Sequence, residues 1–201
     1  MIPYGANLSD PPQRADVLDR AMPQKCQFLF IGRDWQRKGG DIAFQTMLEL
    51  LEQGCDVEMV AVGCEPGVSH ERLRVIPFLN KQVPEDLQTY EDLWRSAAFL
   101  FMPSRQETFG AIYSEAAANG LPVVACDTGG VSGCVQHGVS GILLTEEATP
   151  TDYASEVRSL WSNPAAYRRL VVGARDRFES VLNWDAWANQ IARLVRTAVG
   201  Q

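Results

Sequence analysis

From Gln27 onward, short apolar runs alternate regularly with longer segments of helical period. The apolar runs lie at residues 28–32, 57–63, 74–78, 99–102, 123–126 and 141–144. Short runs with few polar residues are typical of strands covered on both faces, as in a parallel sheet. Segments of helical period lie at 41–52, 84–97, 109–119, 151–162, 164–181 and 184–199. The alternation predicts an α/β fold, with a parallel sheet, helices on both of its faces and three helices that close the domain.

Composition and charge narrow the classes of function. The 201 residues, 46% of them hydrophobic, suffice for one domain with a proper core. A net charge of -7 argues against nucleic-acid binding that depends on a basic surface. The apolar runs are far shorter than the roughly 20 residues of a membrane-spanning helix, and the amino terminus does not resemble a secretory signal. We therefore expect no nucleic-acid partner, no transmembrane segment and a cytoplasmic protein, which in its full length could still bind a membrane peripherally.

Residues 1–25 differ from the rest of the chain because they are polar and rich in turn-forming residues. Among these are Pro3, Gly5, Pro11 and Pro12. This composition predicts an interdomain linker over 1–25 and one ligand-binding domain over 26–201. A chain that starts in a linker is expected to begin in the middle of its parent protein, so we expect a further, amino-terminal domain to be missing.

The first strand is followed by a loop that carries two cations, Arg33 and Lys38, just before a predicted helix. Peptide N–H groups at a helix start, together with such cations, can neutralise a phosphate or diphosphate. A solvated turn explains this loop equally well. The Gly-x-Gly-x-x-Gly and Gly-x-x-x-x-Gly-Lys-Ser/Thr patterns are absent, which argues against dinucleotide-dependent hydride transfer and against a P-loop ATPase.

A second candidate site follows the strand at 99–102, where Glu107 precedes a predicted helix and Glu115 lies two turns inside it. Ligands of open α/β sheets bind at the carboxyl ends of the strands. Thr108 is predicted to cap the helix, so that the N–H groups of Phe109 and Gly110 point outward. At about 1.5 Å per residue the two carboxylates are separated by roughly 12 Å, the scale of a sugar diphosphate. Two ordinary surface acids near a helix start are the alternative.

A loop with two adjacent glycines, Gly129 and Gly130, follows the strand at 123–126. It could face the same crevice, although a tight turn explains the glycines equally well. No Asp-x-Asp pair is present, which removes the usual carboxylate clamp for a magnesium or manganese sugar-nucleotide complex. The five cysteines contain no Cys-x-x-Cys pair, which argues against zinc. We therefore expect no metal site and no cofactor.

Taken together, these segments resemble the carboxyl-terminal domain of the family 4 retaining glycosyltransferases, which have the architecture of two Rossmann-like domains called GT-B. The resemblance covers essentially the whole chain. It rests on residues 2–7, Gly32-Arg33 with Lys38-Gly39, Pro103-Ser104, Gly120-Leu121-Pro122-Val123-Val124, Gly129-Gly130 and Gly138-x-x-Gly141, in this order. The family's Glu-x7-Glu motif falls on Glu107 and Glu115.

The resemblance implies a role for each charged candidate. Glu107 would contact the hydroxyls of the donor sugar, and Glu115 would contact the ribose of its nucleotide. Arg33 and Lys38 would bind the diphosphate and stabilise the charge that develops on it as it leaves. The catalytic candidates are therefore Glu107, Arg33 and Lys38, and Glu115 belongs to nucleotide binding.

The resemblance also implies contacts from the backbone and from apolar residues. The N–H groups of Phe109 and Gly110 would bind sugar or phosphate oxygens, and the loop at Phe78 and Leu79 would contact the base. The chain departs from the family after Gly130, where an acidic residue and a helix start are common but Val131-Ser132-Gly133-Cys134 follows. This departure puts a donor contact from that loop in doubt.

The implied reaction transfers a hexose from a nucleoside-diphosphate sugar to an acceptor hydroxyl, with retention at the anomeric carbon and without a metal. A UDP-sugar is the favoured donor. The missing amino-terminal domain would supply the acceptor site, so the chain alone is expected to bind the donor with little or no turnover. Two alternatives stay open: a non-catalytic module that binds nucleotide sugars, and a sugar-nucleotide epimerase, since some epimerases share the two-domain architecture.

Overall fold

The computed structural model describes residues 2–198. Their central element is one sheet of six parallel strands in the order β3-β2-β1-β4-β5-β6. The strands are β1 (Cys26–Ile31), β2 (Val57–Val62), β3 (Leu73–Ile76), β4 (Phe99–Met102), β5 (Val123–Cys126) and β6 (Gly141–Leu144). This is the strand order of doubly wound nucleotide-binding folds, so the predicted α/β class and the Rossmann-like parallel sheet are confirmed.

Helices connect the strands and cover the sheet. They are α1 (Arg14–Leu18), α2 (Gly40–Glu52), α3 (Pro84–Ser96), α4 (Ala111–Ala118), α5 (Val131–Cys134), α6 (Pro150–Trp161), α7 (Pro164–Ser180) and α8 (Trp184–Ala198). Helix α2 packs against α6, and α4 packs against α7. The three predicted closing helices are present as α6, α7 and α8, and the predicted end of the last at Val199 lies outside the described residues. Within residues 2–198, no helix is long and apolar enough to cross a membrane.

The core lies around the two central strands, β1 and β4. All four residues of β4 are fully buried, as expected for a strand covered on both faces. Phe28 of β1 packs against Phe101 of β4, with ring centroids 4.6 Å apart. Burial of each such side chain contributes roughly 1.5–3 kcal/mol. This rigid centre fixes the positions at which the loops after β1 and β4 leave the sheet.

Two element boundaries near the candidate site differ from the prediction. Strand β3 ends at Ile76, so Phe78 lies in the loop that follows. Helix α4 begins at Ala111 rather than at Phe109, and the predicted cap by Thr108 is wrong. Gly110 stands at the helix start with φ 67°, whereas helical residues have φ near −63°. The chain therefore turns at Gly110 before the helix can begin.

The segment predicted as a linker is in close contact with the rest of the described chain. It contains α1, and the N–H of Ala6 donates to the carbonyl of Leu182 at 3.0 Å. The buried guanidinium of Arg175 donates to the carbonyls of Pro12 and Ala118 at 2.7 and 2.6 Å. These bonds join the amino-terminal segment to α7 and to the end of α4. That the segment connects two domains stays a prediction.

Candidate active site

The candidate site lies where the strand order reverses, between the neighbouring strands β1 and β4. The loops after these two strands are in direct contact. A Cβ on Gly39 would lie only 2.0 Å from the carbonyl oxygen of Pro103, so only glycine allows this approach. The N–H of Arg105 donates to the carbonyl of Arg37 at 2.9 Å. The two loops therefore form one surface at the position where open α/β sheets bind their ligands.

The structure brings Lys38 and Glu107 together. The ammonium of Lys38, at the end of the β1 loop, pairs with Oε2 of Glu107 in the β4 loop. Only 14% of the Lys38 side chain and 7% of the Glu107 side chain are exposed. Oε1 of Glu107 accepts a hydrogen bond from the N–H of Thr108 at 3.1 Å. The ammonium of Lys38 and the carboxylate of Glu107, both nearly buried, thus form an ion pair where the strand order reverses.

Backbone donors lie beside this ion pair. Within residues 2–198, the N–H groups of Phe109 and Gly110 donate to no protein acceptor. Both groups precede the first residue of α4, and N–H groups at a helix start have no acceptor within the helix. A Cβ on Gly110 would lie 3.3 Å from the carboxyl carbon of Glu107. Unpaired N–H groups at a helix start bind anions and hydroxyl oxygens well. The two predicted N–H donors and Glu107 therefore belong to one cluster.

The glycine loop after β5 supports the same cluster from the other side. A Cβ on Gly129, which has φ 57°, would lie 1.8 Å from the carbonyl oxygen of Glu107. The short helix α5 follows at once, so a helix start is present although its first turn has no acidic residue. The thiol of Cys134 in α5 donates to the carbonyl of Phe109 at 3.4 Å. The β5 loop thus faces the crevice and fixes the backbone of Glu107 and Phe109.

The two cations of the β1 loop have different surroundings. Lys38 is paired, whereas Arg33 is exposed and, among the described residues, makes no ion pair or hydrogen bond.

A further ion pair lies at the start of α2, where the oxygens of Asp41 accept two hydrogen bonds from Arg105 at 2.7 and 2.6 Å. These bonds lower the pKa of Asp41. This pair was not predicted from the sequence, because no spacing rule links Arg105 to Asp41.

Glu115, inside α4, is buried and has partners of its own. Only 5% of its side chain is exposed, and burial raises the pKa of its carboxyl group. The hydroxyl of Tyr90, on α3, donates to Oε2 of Glu115. The ammonium of Lys81 lies 3.5 Å from Oε1 and 3.4 Å from Oε2. Tyr90 and Lys81 were not among the predicted site residues, because the helical pattern of α3 does not say which carboxylate it faces.

The predicted base-contacting loop reaches the candidate site through Lys81. Phe78 is 62% exposed, and Leu79 is half-buried. Both lie two or three residues before Lys81, which contacts Glu115. The loop between β3 and α3 and the Glu115 carboxylate are therefore neighbours, as a nucleoside site needs.

Comparison with known families identifies the chain. Residues 25–163 match the family described as "Glycosyl transferases group 1". The chain belongs to the group 1 glycosyltransferases. It is 29% identical over 98% of its length to a D-inositol 3-phosphate glycosyltransferase of Nocardiopsis dassonvillei, of which it covers 49%. It is 32% identical over 85% of its length to the enzyme of the same name from Streptomyces bingchenggensis, of which it covers 40%. The chain thus spans about half the length of these relatives.

Solved structures share the fold of this group 1 domain. Sucrose-phosphate synthase from Thermosynechococcus elongatus superposes with a TM-score of 0.73 at 26% identity, over 99% of this chain and 52% of that one. Anabaena Alr3699/HepE in complex with UDP-glucose superposes with a TM-score of 0.68 at 20% identity, over 87% of this chain and 49% of that one. The resemblance to GT-B glycosyltransferases is confirmed.

Proposed function

We propose that this chain binds the nucleoside-diphosphate sugar of a retaining, metal-independent hexosyltransferase, with a UDP-sugar as the donor. A further domain supplies the acceptor hydroxyl, so the chain alone binds the donor with little or no turnover. The observation that carries the proposal is the buried Lys38–Glu107 pair where the strand order reverses, next to the N–H groups of Phe109 and Gly110, which have no protein acceptor within residues 2–198. These groups match a ligand that presents both anionic oxygens and hydroxyls.

The charged residues are each assigned to one part of the donor. In this assignment the Lys38 ammonium contacts the diphosphate while it remains bonded to Glu107, and the exposed Arg33 adds a second cation. Both offset the negative charge that grows on the diphosphate when the bond to the sugar breaks, and they take the part that a metal plays in other transferases. Glu107, held between Lys38 and the N–H of Thr108, accepts hydrogen bonds from the sugar hydroxyls.

The nucleoside lies at the other carboxylate. Glu115 accepts the ribose hydroxyls, and the loop of Phe78 and Leu79 packs against the base. The neighbouring position of this loop and Glu115, joined by Lys81, supports this assignment. A UDP donor is favoured because Anabaena HepE, which shares the fold, was solved in complex with UDP-glucose.

Calorimetric titration of the chain with UDP, GDP and ADP, each with and without its sugar and each repeated in EDTA, tests the proposal. We expect UDP to bind in EDTA, and Glu115→Gln to weaken it at least about tenfold, because hydrogen bonds to a charged group are the strong ones. The matched control is Glu52→Gln, an exposed glutamate at the far end of α2, which should leave the affinity unchanged. UDP binding that survives Glu115→Gln would contradict the assignment of the ribose site.

A further inference from the structure

The carboxylate of Glu115 has two hydrogen-bond donors of very different character. Tyr90 is 5% exposed, and its ring packs edge-on against Trp94, with centroids 5.8 Å apart. Lys81 has a side chain that is 38% exposed and lies at the long end of hydrogen-bond distance from both oxygens. Its ammonium also lies 4.1 Å from the centre of the Tyr90 ring. Tyr90 is therefore the fixed donor, and Lys81 is the one that can move.

The two oxygens of Glu115 consequently differ in what they can still accept. Oε2 accepts the Tyr90 hydroxyl, whereas Oε1 has only the long contact with Lys81 among the described residues. An ionised carboxylate offers about four lone-pair positions, so Oε1 keeps its capacity for a ligand. Two adjacent hydroxyls of a ribose need such an acceptor.

We propose that Tyr90 is a positioning residue for the donor nucleotide: its hydroxyl fixes Oε2 of Glu115 and leaves Oε1 to accept the ribose hydroxyls. This inference rests on the proposed function, since it assumes that Glu115 binds the ribose. It goes beyond the Glu-x7-Glu motif, because Tyr90 lies on a different helix and belongs to no motif in the sequence. On ribose binding the exposed Lys81 gives up its long contact, while Tyr90 stays bonded.

Tyr90 also affects the charge of Glu115. Burial raises the pKa of Glu115, whereas the Tyr90 hydrogen bond and the Lys81 charge lower it. These two are the titratable groups that face the carboxylate from α3 and from the loop before it. Without the Tyr90 hydroxyl the carboxyl takes up a proton at a higher pH and then accepts ribose hydrogen bonds less well. UDP binding should thus be lost, as the pH falls, at a higher pH in Tyr90→Phe than in the unsubstituted chain.

The test compares UDP with 2′,3′-dideoxy-UDP, which keeps the base and both phosphates but has no ribose hydroxyls. The variants are Tyr90→Phe and a matched control, Tyr167→Phe. Tyr167 is equally buried, and its hydroxyl donates to the carbonyl of Ala98 at 2.8 Å. Ala98 directly precedes β4, so this bond lies at the amino-terminal ends of the strands, away from the candidate site. Both variants remove one buried phenol hydroxyl, so a general loss of stability affects them alike. Affinities are measured by calorimetry from pH 5.5 to 8.5.

We expect the unsubstituted chain and Tyr167→Phe to prefer UDP over the dideoxy analogue by about tenfold or more, and Tyr90→Phe to lose most of that preference. The titration of the terminal phosphate, near pH 6, is common to all proteins and both ligands, so it cannot produce the difference. A preference unchanged in Tyr90→Phe overturns the role of Tyr90 and leaves the proposed function intact. Absence of UDP binding in the unsubstituted chain overturns both.

If Tyr90→Phe does not fold, a structure of the unsubstituted chain with UDP decides. The proposal requires the Tyr90 hydroxyl to remain on Oε2 of Glu115 while a ribose hydroxyl lies on Oε1. A complex in which Tyr90 has left Glu115, or in which the ribose lies elsewhere, would overturn it.

Discussion

Replacement of Gly129 by alanine tests whether the β5 loop supports the backbone of Glu107. At Gly129 two costs coincide. The positive φ of 57° is unfavourable for any residue with a Cβ, and the added Cβ would lie 1.8 Å from the carbonyl oxygen of Glu107. Gly54, at the end of α2, has φ 80° but no atom within 4 Å of an added Cβ. Gly54→Ala therefore carries the conformational cost alone.

The magnitudes follow from these two terms. A left-handed conformation costs roughly 1–2 kcal/mol for a residue other than glycine, and this applies to both variants. Real Cβ contacts stay beyond 3.0 Å, so the Glu107 carbonyl has to move by more than an ångström in Gly129→Ala. Overpacking of this kind adds about 1–3 kcal/mol. We expect a loss of about 1–2 kcal/mol for Gly54→Ala and about 2–5 kcal/mol for Gly129→Ala.

Urea unfolding followed by circular dichroism measures the free energy of unfolding of both variants. In a domain of this size each kcal/mol corresponds to about 2–4 °C in Tm, so thermal unfolding should show the larger loss of Tm in Gly129→Ala. Gly129→Ala should also lower the affinity for UDP, because the displaced backbone carries Glu107, whereas Gly54→Ala should leave that affinity unchanged. Equal stability losses in the two variants, with equal UDP affinity, would refute the contact between the β5 loop and Glu107.

Two further predictions concern charge. Lys38→Ala should lower the affinity for UDP by about tenfold or more and the affinity for uridine much less, since the lysine is assigned to the phosphates. Equal losses of affinity for the two ligands, measured by calorimetry, would contradict that assignment. Arg105→Ala should lower the free energy of unfolding at pH 7 by less than about 1 kcal/mol, because the Asp41 pair is more than one-third exposed. The pKa of Asp41 is lowered in the fold, so the ion pair contributes above the unfolded pKa of Asp41, about 3.9, and this contribution is lost as the pH falls through the folded pKa. Urea unfolding should therefore show a smaller difference between Arg105→Ala and the unsubstituted chain at pH 2.5 than at pH 7.

The sheet could be predicted from the sequence because its strands are short, apolar and buried on both faces. Strands β4, β5 and β6 begin and end at the predicted residues. Asn183, a good capping residue by type, caps α8, with its side chain accepting from the N–H of Ala186 at 2.8 Å. These features depend on local composition, which a single sequence displays directly.

The start of α4 could not be predicted in the same way. Thr108 is a good capping residue by type, yet the left-handed turn at Gly110 determines where the helix begins. The backbone just before that turn packs against the β5 loop, where a Cβ on Gly129 would meet the carbonyl of Glu107, and this contact joins residues that are distant in sequence. Local propensity carries no information on such a contact.

The spacing of Glu107 and Glu115 predicted two carboxylates that hold separate ends of a ligand, but not their partners. In the structure each carboxylate has its own lysine, Lys38 for Glu107 and Lys81 for Glu115. Lys38 is in a loop that already suggested an anion site. Lys81 lies in the loop before α3 and Tyr90 lies on α3. Both are brought to Glu115 by the tertiary fold rather than by any spacing in the sequence.

We propose that a donor nucleotide binds between the loops that follow β1 and β4. Amide spectra of the ¹⁵N-labelled chain, titrated with UDP, test it most directly. We expect large shift changes for the N–H groups of Phe109 and Gly110, and none for Gly54, which lies near the amino-terminal ends of the strands. Shift changes that are confined to the amino-terminal ends of the strands, or a spectrum that UDP leaves unchanged, would contradict it.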